Sequence, residues 1–383
     1  MDSNASTLVF HPQSSIKKED IEKGPPAFVF DTSVLQKQEN LPTQFLWPHE
    51  DLTCITQDEL TDPPVDLKGF FNGDEEAISF AALQIQAACS NHGFFQVINH
   101  GVDSTLIRAA HKHMNAFFDL PMSRKFAIKR NPGSVFGYSS AHAHRYSSKL
   151  PWKETFSFGY SHDNSLEPDV MNYFKSVLGN DFEDAGLVYQ KYCEAMRDLS
   201  LVIMELLAIS LGVDRSHYRK LFEDGNSIMR FNSYPPCKEA GLTLGTGPHC
   251  DPNSLTILHQ DQVEGLEIFA NNKWQVIRPC PDAFAVNISD TFMALCNGRY
   301  KSCLHRAVVN KEKVRKSLVY FVSPKEDKIL RPPQELLENE EARKYPDFKW
   351  SELLEFTQKY YRADASTLRN FAHWLQSSKN TSN

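Results

Sequence analysis

Long apolar runs are absent from this 383-residue sequence. The longest apolar stretch, residues 199–213, is too short for a transmembrane helix and carries Glu205, so it predicts a buried helix. Residues 1–20 lack the basic start, the apolar core and the small-residue cleavage site of a secretory signal. We therefore expect no membrane partner and a cytoplasmic location.

An excess of positive charge is also absent. The formal net charge is -7 at pH 7, with 23% charged and 41% hydrophobic residues. Nucleic acids and anionic membranes bind basic surfaces, so this balance predicts neither as a partner. The composition is that of an ordinary soluble protein, for which we expect a monomer and a small-molecule ligand.

Paired cysteine motifs are missing as well. The eight cysteines are scattered along the chain and none forms a Cys-x-x-C pair. This spacing argues against a zinc ribbon or a disulfide scaffold. We expect reduced, mostly buried thiols without a catalytic role.

Hydrophobic periodicity divides the sequence into four predicted parts. Residues 1–60, rich in Pro, Gln, Ser and Asp, predict a partly flexible surface arm. Residues 61–224 predict a mixed N-terminal domain with long helices. Between residues 225 and 330 the period changes to two and Gly, Pro and Asn separate short strands, which predicts a sandwich or small barrel. Residues 331–383 return to a helical pattern.

Two His-x-Asp segments compete as candidates for a metal site. In a strand, residues i and i+2 face the same side, so each segment offers an imidazole and a carboxylate to one ion. His249 and Asp251 follow the Gly- and Pro-rich "LGTGP", where side chains can meet solvent and ligands. The second segment, 259–261, continues an apolar strand face, and its histidine is better explained as a packed residue. We therefore predict the first pair as metal ligands.

A third ligand and an anion-binding group follow further along the chain. His305 shares an apolar strand face with Cys303 and Ala307, where a histidine is more often packed than ligating. With the first pair it would complete two histidines and one carboxylate, the facial arrangement of non-haem iron(II) oxygenases. Arg315 lies ten residues after His305, and Ser317 shares its strand face. A buried arginine requires an anion, and a carboxylate matches its planar fork; the alternative is a surface ion pair.

The segments "FNSYPPC", "GPHCDPNSLTILHQD", "NGRYKSCLHRAVVN" and "VRKSLVYFVSP" resemble the plant 2-oxoglutarate-dependent iron(II) dioxygenases. Together with "FFQVINHGV", the resemblance covers residues 60–330. It implies an α+β fold with a double-stranded β-helix (jelly-roll) core, flanked by N-terminal and C-terminal helices. It also implies opposite sheets for His305 and Arg315.

The resemblance also implies roles for individual residues. The implied iron ligands are His249, Asp251 and His305. The residues implied to bind 2-oxoglutarate are Arg315, Ser317, Tyr234 and Asn232.

Two further segments, "LPTQFLWP" and "KLPWKETFSF", are similar to those of gibberellin 20-oxidases. This similarity implies successive oxidation and removal of C-20 from a diterpenoid acid, giving a C19 gibberellin, while 2-oxoglutarate is decarboxylated to succinate. Iron(II), 2-oxoglutarate and O2 are implied as cofactor and co-substrates, with ascorbate as a stimulating reductant. An acidic, mostly apolar substrate needs a hydrophobic pocket with a basic anchor.

Candidate anchor residues lie in and before the second of these segments: Arg145, Lys149, Trp152 and Lys153. The alternatives are solvated lysines on the surface and a tryptophan in the core. His142 and His144 have spacing compatible with a metal, but we favour a loop or pocket-lining role for them.

The sequence leaves two other functions open. A sibling oxygenase, such as a gibberellin 3- or 2-oxidase or a flavonoid oxygenase, would share the iron site. A cupin-like binding protein would keep the barrel and the metal without turnover, but it would have little need for Arg315 and Ser317.

Overall fold

A computed structural model of the chain describes residues 30–31, 35, 40–52, 58–131, 133–141, 149–162, 169–337, 343–360 and 366–380. Within these ranges the α-helices are α1 (His49–Leu52), α2 (Lys68–Asn72), α3 (Glu75–Asn91), α4 (Ser104–Phe118), α5 (Met122–Ala127), α6 (Val170–Leu178), α7 (Glu183–Leu211), α8 (His217–Phe222), α9 (Asp290–Leu295), α10 (Trp350–Tyr360) and α11 (Thr367–Asn380). Single 3-10 turns lie at Thr43–Phe45, Asn180–Phe182, Ala240–Leu242 and Gln334–Leu336. None of these described helices combines the length and the apolar composition needed to cross a membrane.

The strands of the described ranges are mostly short. They are β1 (Val65–Asp66), β2 (Phe94–Ile98), β3 (Gly137–Ser140), β4 (Glu154–Ser161), β5 (Asn226–Tyr234), β6 (Leu244–His249), β7 (Leu255–Gln260), β8 (Leu266–Ala270), β9 (Lys273–Val276), β10 (Phe284–Ile288), β11 (His305–Val308), β12 (Arg315–Ser323), β13 (Ile329–Leu330) and β14 (Phe348–Lys349).

These strands form an eight-stranded sheet in the order β1-β2-β10-β7-β12-β5-β4-β3 and a four-stranded sheet in the order β6-β11-β8-β9. Together the two sheets make the jelly-roll core, and helices flank it. The α+β class and the jelly-roll core with helices on either side in sequence are therefore confirmed. Strands β1 to β4, from the first half of the chain, extend the sheet whose central strands come from residues 225–330. The four-part domain division stays a prediction.

Successive residues of β5 face alternately the hydrophobic core on the helical side and the interior of the barrel. Met229 and Phe231 are fully buried on the helical side, where the Phe231 ring lies 4.5 Å from the ring of Tyr189 in α7. The side chains between them point the other way, because successive residues of a strand face opposite sides. Tyr234, for example, reaches the small sheet and contacts Gly245 of β6. Polar residues at alternate positions of β5 therefore line the interior.

Helix α7 covers the outer face of the large sheet. It runs for 29 residues and ends at Gly212, whose φ of 69° gives the left-handed conformation typical of a helix C-terminus. Its buried residues continue through the apolar stretch 199–211, which agrees with the predicted buried helix. The apolar side of the helix supplies much of the main hydrophobic core.

The described part of the N-terminal arm is held by a separate, smaller core. Phe30 and Phe45 make edge contacts with the Trp152 ring at centroid distances of 5.1 and 5.0 Å. Leu41 and Leu150 are buried in the same cluster. Aromatic contacts of this kind stabilise the arm against the segment that precedes β4.

The cysteines within the described residues are free, and all of them except Cys280 are buried. Burial raises the pKa of Cys89, Cys193 and Cys303 well above the ordinary thiol value. These thiols are therefore protonated, and the free, mostly buried cysteines of the described residues agree with the expectation of reduced, mostly buried thiols.

Candidate active site

Three metal-ligating side chains meet at the end of β6. One ligating atom from each of His249, Asp251 and His305 lies within 4.8 Å of the other two. His249 ends β6 and His305 begins β11, and the two residues are register partners in adjacent antiparallel strands. Their imidazole centroids are 4.1 Å apart. Asp251 follows in the turn after β6. His249 and Asp251 therefore converge where the strand ends, and they do not share the face of one continuous strand.

Backbone hydrogen bonds orient both imidazoles in the same way. The Nδ1 atom of His249 donates to the carbonyl oxygen of Gly247 at 2.8 Å, and Nδ1 of His305 donates to the carbonyl oxygen of Cys303 at 3.0 Å. The proton on Nδ1 leaves an unprotonated Nε2 in each neutral ring. These Nε2 atoms lie 3.6 and 3.8 Å from the carboxylate oxygens of Asp251. Such outer hydrogen bonds are the usual means of fixing a metal-binding tautomer.

Asp251 is held by Thr256, whose hydroxyl donates to the Oδ2 atom of Asp251 at 2.7 Å. Burial opposes ionisation of Asp251, but His305, His249 and the Thr256 hydrogen bond outweigh it and lower the carboxyl pKa. Burial, followed by the neighbouring His305, lowers the pKa of His249. The site therefore contains a carboxylate and a neutral His249, the protonation states that a divalent cation requires.

His259 has a different environment and is not part of this group. Its Nε2 donates to the Pro281 carbonyl oxygen at 3.1 Å, and its Nδ1 lies 2.8 Å from Nε2 of His111 in α4. Since Nε2 carries the proton, Nδ1 accepts from His111. His259 is the packed, hydrogen-bonded residue that the apolar strand pattern favours.

Arg315 lies on the facing sheet, at the start of β12. It is 1% exposed, and its Nη2 atom donates to Gln260 Oε1 at 2.9 Å. The guanidinium carbon lies 5.1 Å from the centre of the Tyr234 ring. Its Nε is buried and has no hydrogen-bond partner among the described residues. A buried cation with a spare donor fits an anionic ligand.

Asn232 and Ser317 complete this end of the barrel. They are register partners on β5 and β12, and Asn232 Nδ2 donates to Ser317 Oγ at 3.2 Å. The Oδ1 atom of Asn232 is buried without a partner among the described residues. All four residues implied in 2-oxoglutarate binding are thus brought together on the inner face of the large sheet.

This donor set fits iron(II) and 2-oxoglutarate. Two histidines and one carboxylate on one side of an ion leave further octahedral positions for other ligands, which suits iron(II) in an oxygenase. The unpaired Nε of Arg315 and the Ser317 hydroxyl provide donors for a carboxylate on the sheet opposite His305.

The predicted substrate residues lie in different places. Lys153 is 5% exposed, and its Nζ donates to Thr246 Oγ1 on β6 at 2.9 Å. Lys149 is half-exposed and pairs with Asp51 at 3.1 Å. Trp152 lies in the small core with Phe30 and Phe45 and donates its Nε1 to the Pro235 carbonyl oxygen. The contacts of Lys149 and Trp152 are thus with the arm and its surroundings. Arg145, His142 and His144 lie outside the described residues.

Sequence reasoning missed Gln260 and Thr256. Both lie on β7, at alternate positions that face the barrel interior, where they orient Arg315 and Asp251 respectively. The available sequence feature was the alternation of "LTILHQ", in which polar residues recur on the face opposite His259.

Comparison with known proteins agrees with this geometry. Residues 225–324 match the family model of the 2OG-Fe(II) oxygenase superfamily. Residues 63–176 match a model described as the N-terminal region of non-haem dioxygenase in morphine synthesis. Gibberellin 20 oxidase 2 of Arabidopsis thaliana is 53% identical over 364 residues, covering 95% of each chain. Gibberellin 20 oxidase 2 of Oryza sativa subsp. japonica is also 53% identical, covering 89% of this chain and 87% of that one.

Solved structures show the same fold. A crystal structure of JOX2 in complex with 2OG, Fe and JA superposes with a TM-score of 0.78 at 28% identity, covering 91% of this chain and 98% of that one. A dioxygenase for auxin oxidation from rice superposes with a TM-score of 0.66 at 25% identity, covering 80% of this chain and 98% of that one. The protein therefore belongs to the gibberellin 20-oxidase family within the 2OG-Fe(II) oxygenase superfamily.

Proposed function

We propose that this chain catalyses the successive oxidation and removal of C-20 from C20 gibberellins, which gives C19 gibberellins. As a 2-oxoglutarate-dependent iron(II) dioxygenase, it couples oxidation to the conversion of 2-oxoglutarate and O2 into succinate and CO2. The observation that carries the proposal is the match to gibberellin 20-oxidases over nearly the whole chain, including the segments outside the iron site. The monomeric state and the cytoplasmic location stay predictions from the sequence.

In this proposal His249, Asp251 and His305 hold the iron. Their support is the convergence of two Nε2 atoms and one carboxylate, with both Nδ1 protons directed to backbone carbonyl oxygens. Thr256 keeps the carboxylate directed at the histidines. When bound, iron with 2-oxoglutarate and O2 supplies an oxidant strong enough for an unactivated methyl group.

Arg315 and Ser317 bind the distal carboxylate of 2-oxoglutarate. Gln260 fixes one edge of the guanidinium and the Tyr234 ring covers its face, so the remaining donors are preorganised for an anion. Asn232 holds the Ser317 hydroxyl in place. Because Gln260 and Tyr234 already hold the Arg315 side chain in this geometry, little of its conformational entropy is lost when 2-oxoglutarate binds.

Lys153 is the predicted substrate residue that the geometry supports best. Its ammonium is buried and reaches β6 at Thr246, three residues before His249. A buried ammonium close to the metal ligands is suited to the carboxylate of a diterpenoid acid.

Product analysis tests this function. The purified protein is incubated with a labelled C20 gibberellin that carries a C-20 methyl group, together with iron(II), ascorbate and 2-oxoglutarate. We expect the C-20 alcohol, the C-20 aldehyde and then a C19 product, with succinate formed at each oxidation. Products that are oxidised at another carbon and keep C-20 would assign the chain to a sibling activity.

An Arg315→Ala variant tests the co-substrate site separately. Loss of charge-assisted hydrogen bonds costs about 1.5 to 3 kcal/mol, so we expect 2-oxoglutarate to bind about 10- to 150-fold more weakly. Arg219→Ala is the control, because Arg219 pairs with Glu205 on α7 at a partly exposed site. Unchanged 2-oxoglutarate affinity in Arg315→Ala would contradict the assignment.

A further inference from the structure

Two arginines that the sequence did not single out converge on one hydroxyl inside the barrel. The Nη2 atom of Arg130 donates to Ser157 Oγ at 3.1 Å, and the Nε atom of Arg230 donates to the same oxygen at 2.9 Å. Arg130 is 7% exposed and Ser157 is fully buried. Two hydrogen bonds to one acceptor hold both guanidinium groups close together.

Lys153 lies within electrostatic range of both arginines. After burial, Arg230 and then Arg130 are the main causes that lower the pKa of Lys153, to about 7. Lys153 precedes β4 directly and Ser157 lies within it, at alternate positions of the same inner face. Arg130, Lys153 and Arg230 therefore form one group, which we name the basic cluster.

The basic cluster adjoins the proposed iron and 2-oxoglutarate sites. Arg230, Asn232 and Tyr234 occupy alternate positions of β5, so Arg230 continues the row of residues that lines the 2-oxoglutarate site. The Arg230 guanidinium lies 4.9 Å from the centre of the Phe321 ring, and Phe321 is the register partner of Thr256, which holds Asp251.

The Asp251 carboxylate lies within electrostatic range of both Lys153 and Arg230, so the basic cluster borders the acidic ligand of the proposed metal site. A substrate carboxylate beside the cluster would accept charge-assisted hydrogen bonds, because each guanidinium offers a planar fork and Lys153 offers further donors. Arg315, about which the proposed 2-oxoglutarate residues gather, lies at the other end of the row. The basic cluster therefore has the chemistry of a second, separate carboxylate site.

We infer that Arg130 and Arg230, together with Lys153, bind a carboxylate of the diterpenoid acid substrate and select acidic over neutral diterpenoids. This inference rests on the proposed function. Ser157 is a positioning residue, because its hydroxyl aligns the two guanidinium groups without meeting the substrate.

Binding of an acid and of its methyl ester tests the inference. The holoenzyme with iron(II) and 2-oxoglutarate is titrated without oxygen with a C20 gibberellin and with its carboxyl-methylated ester. The variants are Arg130→Gln, Arg230→Gln and Arg230→Lys. We expect each glutamine variant to weaken binding of the acid by about tenfold or more and binding of the ester by less than about threefold. Arg230→Lys keeps the charge and recovers part of the affinity for the acid.

Arg219→Gln is the matched control, since it removes an arginine that pairs with Glu205 away from the barrel interior, and it leaves both affinities unchanged. Equal losses for acid and ester would overturn the inference. A weaker affinity for 2-oxoglutarate with an unchanged affinity for the acid would also overturn it, because the basic cluster would then serve the co-substrate. If wild type fails to convert any C20 gibberellin, the proposed function fails; if it converts them and the variants do not separate acid from ester, only this inference fails.

Discussion

At the scale of single residues, the two histidines of "HCDPNSLTILH" differ in what their ring nitrogens can still bind. His249 uses Nδ1 for a backbone carbonyl oxygen and leaves Nε2 facing Asp251. Both nitrogens of His259 are engaged, one with Pro281 and one with His111. A metal needs a free lone pair, so only His249 can ligate without breaking an existing hydrogen bond.

Iron retention distinguishes the two histidines. We expect His249→Ala to lower the affinity for iron(II) by at least about tenfold, because a ligand is lost. His259→Asn should keep the wild-type iron content while losing some stability through its hydrogen bonds. Iron bound per chain after desalting, and titration with iron(II), measure both. Equal iron loss in the two variants would refute the ligand assignment.

Part of the candidate site could be predicted from the sequence, and part could not. The predicted ligands His249, Asp251 and His305 meet in space because each lies at or beside the end of a strand. The basic cluster could not be predicted, since Ser157 meets Arg230 only through the β4–β5 register. That register joins residues 73 positions apart, and no local pattern specifies it. Trp152 lies in a motif that is visible in the sequence. That motif does not show that the N-terminal arm packs against the Trp152 ring.

At the scale of elements, strand β6 is buttressed by the N-terminal arm. The Trp47 ring lies against Gly247, where an added Cβ would come within 2.2 Å of a ring carbon. Trp47 is fixed by its backbone N–H, which donates to Leu242 at 3.0 Å, and by Nε1, which donates to Leu150. Gly247 also accepts the His249 hydrogen bond through its carbonyl oxygen. Through Gly247, the N-terminal arm therefore contacts the strand that ends at the proposed metal ligand His249.

A Gly247→Ala substitution tests that contact. Overpacking should cost about 1 to 3 kcal/mol of stability and displace either the arm or the strand, which weakens iron binding. The same substitution should cost less in a Trp47→Ala background, because the clash is gone. Denaturant unfolding and iron titration of the four proteins measure this coupling. Gly241→Ala is the control, since nothing lies within 4 Å of its added Cβ; equal costs of Gly247→Ala in both backgrounds would contradict the contact.

The sequence predicted the positions of helices and strands better than it predicted which strands pair with each other. The apolar stretch that ends α7 and the alternating strands after residue 225 follow directly from periodicity. The extension of the large sheet by β1 to β4 does not, because edge strands such as β3 acquire their position through long-range pairing. Short apolar segments carry no information about which strand will be their neighbour.

At the scale of the whole molecule, two histidines link stability to pH: His100, which is buried after β2, and His111, which is partly buried in α4. Burial, followed by the neighbouring His259, lowers the pKa of His100 and of His111 to about 4 each, from the ordinary value of 6.5. Between pH 6.5 and about 4 the unfolded chain takes up protons that the folded chain does not. The free energy of unfolding therefore falls as the pH is lowered through this window.

Unfolding measured across this window tests the linkage. We expect stability to fall by about 1 kcal/mol or more for each of these two histidines between pH 6.5 and 4. His111→Gln should make the dependence shallower, because one of these groups is removed. His49→Gln changes an exposed histidine and should leave the slope as in wild type. A slope in His111→Gln equal to that of wild type would contradict the linkage.

The alternation within β5 and β12 has a consequence for how this protein can diverge. One side of each strand packs on the helices and the other carries Arg230, Asn232, Arg315 and Ser317. Substitutions on the inner side can retune which acid is accepted without disturbing the hydrophobic core. A single-residue insertion or deletion in either strand would instead exchange the two sides at once. Evolution of new specificities on this scaffold is therefore expected to proceed by point changes within these strands, with length changes confined to the connecting loops.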